Sequence, residues 1–213
     1  MAGRGLPVSK PLTAKADDLA IVVIDVQPGF LGGWMAGPSE PHLVRLEYLF
    51  GLATVFDLPC LATFEEPVEK NGWLPERLDR YFPAHGQRHT KQTFNCCAEP
   101  PILAALAATN RSQIAVAGCE TDVCVLQSVM GMIGAGYQVF LLEDCLFSSE
   151  PHTGPAIRRM EAAGAIPSTV KTLSYELRHS VAAPGPRTTL QERFPELHLP
   201  RPEDFPVWAD PLD

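Results

Sequence analysis

The segment Gly118-Cys119-Glu120-Thr121-Asp122-Val123-Cys124 joins an apolar run, QIAVA, to a stretch with helical spacing. A cysteine in the first turn of a helix faces unpaired N–H groups and the positive end of the macrodipole, which favour an anion. A thiolate there is the reactive form of the residue, and a lowered pKa is expected for Cys124. The same N–H groups suit the oxyanion of a tetrahedral intermediate. The plain alternative is a buried structural cysteine. Asp25 closes the apolar run LAIVVID. A carboxylate at that place is costly without partners, so it reads as a base aimed into a crevice or as a turn residue ahead of Pro28-Gly29. Lys91 sits in HTKQT. It reads either as a solvated lysine or as a cation for a nearby thiolate or oxyanion.

The elements that must position these residues alternate along the chain. Leu19–Val26, 58–64, 112–117, 137–142 and 166–170 carry short, β-branched or apolar runs expected to be strands. Helical spacing or helix-stop signals mark 42–56, the run opened by Pro100-Pro101, the run after Thr121 as cap, and the run ended by Gly164. Residues 65–88 hold Pro67, Gly72, Pro75, Pro83 and Gly86 and read mostly as loop. Alternation of this kind implies an α/β fold with a parallel sheet covered by helices on both faces. Sites in such sheets lie at the carboxyl ends of strands, where the strand order reverses. The expected organisation is a tail over 1–17, an α/β domain over 18–180 and a Pro-rich arm over 181–213. No period is visible in the arm, which reads either as a surface arm or as an arm that docks on a partner subunit through Phe194, Leu197, Phe205 and Trp208.

The chain has 213 residues, 46% hydrophobic and 20% charged, which fits one globular domain rather than a disordered or fibrous chain. Lys+Arg 17 against Asp+Glu 25 gives a net charge of −8, so no nucleic-acid or anionic-membrane partner is expected. No apolar run approaches a membrane span, and the first residues lack the apolar core of a secretory signal. Six cysteines without such a signal read as free thiols in a cytoplasmic protein. There is no G-x-S-x-G, no P-loop, no G-x-G-x-x-G and no C-x-x-C; Cys96 and Cys97 are adjacent, and Cys119 and Cys124 are five apart.

Taken together, IVVIDVQPGF, HTKQTFNCC and VAGCETDVCVLQSVMGMIGAGYQVFLLEDCL resemble the isochorismatase-like cysteine hydrolases, and RRMEAAGAIPSTVKTLSYEL is similar to that family's closing helix and strand. The resemblance implies a three-layer α/β/α sandwich with a six-stranded, mostly parallel sheet and assembly as a homo-oligomer. It implies an Asp25–Lys91–Cys124 triad. Asp25 takes the thiol proton, Lys91 stabilises the thiolate, and Cys124 attacks an amide-like carbonyl to form a thioester that water hydrolyses. It also implies a cis peptide at Cys119–Glu120 and an oxyanion hole from the N–H groups of Glu120 and Cys124. Nicotinamidases of this superfamily carry a metal-binding D-x-H after the second strand, where this chain reads ATFEEPVEKNG. Neither a metal nor a cofactor is therefore expected, although Glu65 and Glu66 are the side chains there that could bind a cation. Isochorismate-cleaving members lack the nucleophilic cysteine, so vinyl-ether hydrolysis is not expected.

Gln27, Phe30, Trp34, Phe64, Trp73 and Phe94 fall near strand ends and are the expected lining of a pocket for a small-molecule acyl or planar group. The expected activity is hydrolysis of a small amide or ureido-type C–N bond, independent of metal. Two other classes remain open to the sequence: a catalytically idle oligomeric scaffold of the same fold, and a thiol redox protein using Cys119 and Cys124 or Cys96 and Cys97.

Overall fold

The computed structural model describes residues 12–32, 34–180 and 186–199. The strands are β1 (Leu19–Ile24), β2 (Cys60–Glu65), β3 (Gln87–Lys91), β4 (Gln113–Gly118), β5 (Gln138–Leu146) and β6 (Ile166–Ser168). The helices are α1 (Pro28–Leu31), α2 (Glu40–Val55), α3 (Val68–Asn71), α4 (Glu76–Asp79), α5 (Pro100–Ala108), α6 (Leu126–Gly134), α7 (Gly154–Ala162), α8 (Val170–Arg178) and α9 (Pro186–Arg193). All six strands form one sheet in the order β3-β2-β1-β4-β5-β6. Every pairing is parallel.

The continuous apolar runs follow from this layering, because a strand covered on both faces needs no polar side. Along β1, Leu19, Ile21 and Val23 enter one core while Val22 and Ile24 enter the other. Ala115 and Ala117 of β4 and Phe140 and Leu142 of β5 join the first core; Ile114, Val116, Val139 and Leu141 join the second. Helices α2 and α8 cover the first face through Leu46, Leu49, Phe50, Leu173 and Leu177. Helices α5, α6 and α7 cover the second through Ile102, Leu106, Val129, Met132 and Met160. The result is the three-layer α/β/α sandwich that the resemblance implies.

The segment after residue 181 differs from its sequence reading. Where no period was visible, α9 forms and lies on α2. Leu190 and Leu197 are buried in the first core. A side chain at Gly51 of α2 would place its Cβ 2.8 Å from Leu197 and 3.0 Å from Leu190, so a glycine lets the arm approach. Phe194 stacks edge-on against Tyr81 at 5.8 Å, and the Tyr81 hydroxyl donates to Glu196 at 2.7 Å. Phe194 and Leu197 thus anchor the segment on its own chain. Phe205 and Trp208 lie outside the described residues.

The chain runs from β1 outward to β2 and β3, then crosses back to place β4 on the other side of β1. The order reverses between β1 and β4, and their carboxyl ends open a crevice there.

Candidate active site

Asp25 is the first residue past β1. Its φ of 50° turns the chain sharply, and its N–H donates to Thr63 O at 3.1 Å, tying it to β2. On the other flank, Ile24 pairs with Gly118 at the end of β4. Gly118 has φ 118°, and a Cβ there would sit 2.0 Å from Ile24 O, so only glycine permits this approach. Cys119 follows, its Sγ donating to Asp25 O at 2.9 Å. The Cys119–Glu120 peptide is cis. A π-helical turn, Thr121–Val125, with Thr121, Cys124 and Val125 buried, then carries Cys124 into the crevice before α6 begins. Thr121 is not a helix cap as its position suggested. Its N–H and its hydroxyl both donate to Phe147 O, each at 3.0 Å, which fastens the turn to the end of β5.

Lys91 is the last residue of the edge strand β3, paired with Glu65. Its side chain crosses the end of β2 to reach the same crevice. Nζ lies 2.6 Å from Asp25 Oδ2, 3.6 Å from Cys124 Sγ and 3.8 Å from Glu65 Oε2. Thr63 donates its hydroxyl to Asp25 Oδ1 at 2.8 Å. Lys91 and Asp25 are each 1% exposed and Cys124 4%. An ammonium and a carboxylate persist at such depth only because each neutralises the other and hydrogen bonds satisfy what remains. Three elements far apart in sequence thus converge on one cluster.

Burial raises the Asp25 carboxyl above its ordinary value, and Lys91, Thr63 and Cys124 oppose that rise. Burial alone would depress Lys91, but the negative charge of Asp25 and then that of Cys124 overcome it, and its pKa is raised. The thiol departs from the sequence reading. Burial first, then the charge of Asp25, push Cys124 well above the ordinary thiol range, with Lys91 pulling the other way. The helix macrodipole acts over one turn with a fraction of a charge, and it loses here to desolvation and nearby carboxylates. Cys124 therefore rests as a protonated thiol close to the Asp25 carboxyl, rather than as a free thiolate.

A cavity of about 330 Å³ opens above Cys124. Of the six pocket candidates, Phe30, Trp34 and Phe94 line it. Trp34 and Phe94 remain half or more exposed at its mouth. The other three pocket candidates are placed elsewhere. Gln27 is fully buried; its amide donates to Glu65 O at 3.2 Å and Gly72 O at 2.7 Å and accepts from Glu65 N at 2.7 Å. It shapes the wall from behind. Phe64 points into the first core and Trp73 packs on it at 4.9 Å, away from the cavity. The cause is the two-residue period of β2: Thr63 and Glu65 face the cluster, so Phe64 faces the opposite way. Glu120 lines the cavity while its carboxylate accepts from Ser149 N at 3.0 Å.

Sequence reasoning passed over Thr63 and undervalued Glu65. Glu65 lines the cavity, and Cys124 Sγ donates to its Oε2 at 3.5 Å. The available signal was the alternation TFE at a strand end beside β1. Among the described residues, Asp25, Glu65 and Cys124 offer ligand atoms within 4.8 Å of one another, close enough to hold a metal ion together. The Lys91 ammonium contacts all three, so it occupies the position where a cation would sit. The donor set fits a lysine better than a metal.

Comparison with known proteins places this geometry. A sequence model described as "Isochorismatase domain" matches residues 19–172. The chain belongs to the isochorismatase family. Among family relatives, the "Probable hydrolase YcaC" of Escherichia coli is 28% identical over 130 residues, which cover 60% of this chain and 62% of YcaC. The match thus spans just under two thirds of that relative. The "Isochorismatase domain-containing protein 2" of Rattus norvegicus is 28% identical over 165 residues, covering 75% of this chain and 76% of the rat protein. The solved structure of the Escherichia coli YcaC product, titled an octameric hydrolase of unknown specificity, superposes with a TM-score of 0.76 at 25% identity over 95% of this chain and 96% of that one. A Caenorhabditis elegans structure titled MAR1 ribonuclease superposes with a TM-score of 0.78 at 22% identity, over 89% and 95% of the two chains, and shares the fold. This isochorismatase-family chain has an α/β fold, and its described residues include no helix long and apolar enough to cross a membrane.

Proposed function

We propose that this protein hydrolyses a small amide or ureido-type C–N bond through a thioester on Cys124, without a metal. The observation that carries the reading is the buried contact of Lys91 with both Asp25 and Cys124 at the floor of the cavity. Asp25, its pKa raised by burial, takes the proton of the Cys124 thiol as the sulfur attacks the carbonyl carbon. Lys91 offsets the charge that moves onto sulfur. The main-chain N–H groups of Glu120 and Cys124 receive the oxyanion. The C–N bond then breaks, and the leaving nitrogen takes the proton from Asp25. Water hydrolyses the thioester and releases the acid.

Phe30, Trp34 and Phe94 favour a flat or apolar acyl group, and the cavity volume limits it to a small one. The protein acts as a homo-oligomer in this reading, supported by the octameric YcaC structure. The test is ammonia release from acetamide, benzamide and a set of N-carbamoyl compounds, before and after dialysis against EDTA. Activity that survives EDTA and disappears in Cys124→Ala supports the proposal. Activity retained in Cys124→Ala, or lost on chelation, refutes it.

A further inference from the structure

Asp25 is enclosed, with Thr63 on one carboxylate oxygen and Lys91 on the other. Glu65 stands in the same cluster on the open side. Its side chain is a quarter exposed, it lines the cavity, and its Oε2 accepts from Cys124 Sγ at 3.5 Å and lies 3.8 Å from Lys91. Its backbone is fixed: Gln27 binds both its N–H and its carbonyl, and Asn71 donates to that carbonyl at 3.1 Å. A carboxylate held this firmly beside the nucleophile, and wet on one side, has a position that Asp25 lacks. Once an acyl group occupies Cys124, water approaches from the cavity; of the carboxylates that line it, Asp25, Glu65, Glu66 and Glu120, Glu65 is the one that is both partly exposed and within 3.5 Å of Cys124 Sγ.

We infer that Glu65 is a fourth catalytic residue, the base that activates water for hydrolysis of the Cys124 thioester, while Asp25 serves its formation. This inference rests on the thioester reading above. A water O–H bond breaks and its proton passes to the Glu65 carboxylate as oxygen bonds to the acyl carbon. The C–S bond then breaks, the acid leaves, and sulfur recovers the proton from Glu65. The products are the free acid and the resting thiol, hydrogen-bonded to Glu65 as the structure shows it.

The test uses p-nitrophenyl acetate, whose leaving phenolate needs no proton, so that formation and breakdown of the acyl-enzyme separate. Formation is read from nitrophenolate release and breakdown from the mass of acetylated Cys124 over time, in the full chain and in Glu65→Gln and Glu65→Asp. General-base assistance typically contributes ~10²–10⁴-fold, so Glu65→Gln is expected to form the acetyl-enzyme at least as fast as the parent and clear it at least ~10-fold more slowly. Glu65→Asp is expected to recover part of the clearance. Clearance at the parental rate in Glu65→Gln overturns the assignment. So does a parallel loss of both steps, which marks a structural role. If the parent protein never acetylates Cys124, the nucleophile reading falls and this inference falls with it. If Cys124 is acetylated and cleared through Glu65 while no amide releases ammonia, only the choice of substrate falls.

Discussion

Replacing Lys91 with methionine keeps the length of a fully buried side chain and removes its charge. In the parent, that charge lies 2.6 Å from Asp25. Breaking a buried pair by removing one partner typically costs about 3–5 kcal/mol, because the remaining charge is left uncompensated. For a chain of this size that corresponds to a fall in Tm of roughly 6–20 °C. The loss depends on pH in a defined direction. Without Lys91, burial of Asp25 is opposed only by Thr63 and Cys124, so its pKa rises further above the ordinary 3.8. A carboxyl with a raised folded-state pKa supports the fold below its ordinary value and loses that support as pH rises through the folded value. The deficit of Lys91→Met against the parent is therefore smaller at pH 5 than at pH 8. Parental Lys91, whose pKa is also raised, contributes its stability up to about its ordinary 10.5 and loses it above. The double variant Asp25→Asn with Lys91→Met removes both charges, and it is expected to regain most of the lost stability while remaining inactive. Urea unfolding at pH 5 and pH 8 of the parent, both single variants and the double variant provides the cycle. Additive single effects, or a deficit that does not grow with pH, would refute the buried-pair reasoning.

Other consequences are as direct. Cys97 is half-buried, and a hydrogen bond from Cys96 holds its thiol below the ordinary range, whereas Cys124 is pushed up. Iodoacetamide at pH 7 is expected to modify Cys97 before Cys124, and the Cys124 rate should still be climbing above pH 9; peptide mapping by mass reads both. Gly118→Ala forces a Cβ to within 2.0 Å of Ile24 O at φ 118°, so a loss of about 4 kcal/mol or more is expected in urea unfolding, and near-parental stability would contradict the close approach. Gln27→Ala strands the Glu65 N–H and the Gly72 carbonyl without their partner, and a loss of about 2–4 kcal/mol is expected from the same measurement. Leu190→Ala and Leu197→Ala each remove a buried contact between the arm and α2, at about 2–5 kcal/mol apiece, and proteolysis after Arg193 should speed up if the arm is docked as seen.

The layered fold was legible because its signals are local. Runs such as LAIVVI and QIAVA announce strands buried on both faces, and Gly136 and Gly164, both at positive φ, stop helices near where the sequence suggests. Helix α9 was not legible. Its eight residues carry little apolar pattern of their own, and it is held by Leu190, Leu197 and the gap at Gly51. The alternation in β2 was readable in principle and still misled for Phe64 and Trp73, since which face of a strand meets a cavity depends on its neighbours.

By itself the sequence determined which residues had chemistry to offer: a cysteine at a strand-to-helix turn, an aspartate closing a strand, and a lysine within a polar segment. Only the tertiary structure decided that Lys91 crosses from an edge strand to meet Asp25 and Cys124. The same packing decided that Glu65 joins them and that the thiol rests protonated. Residue types and spacing are properties of the chain, but a pKa and a contact between residues 25, 91 and 124 are set by desolvation and charge, and these exist only once β1, β3 and β4 are packed into one sheet.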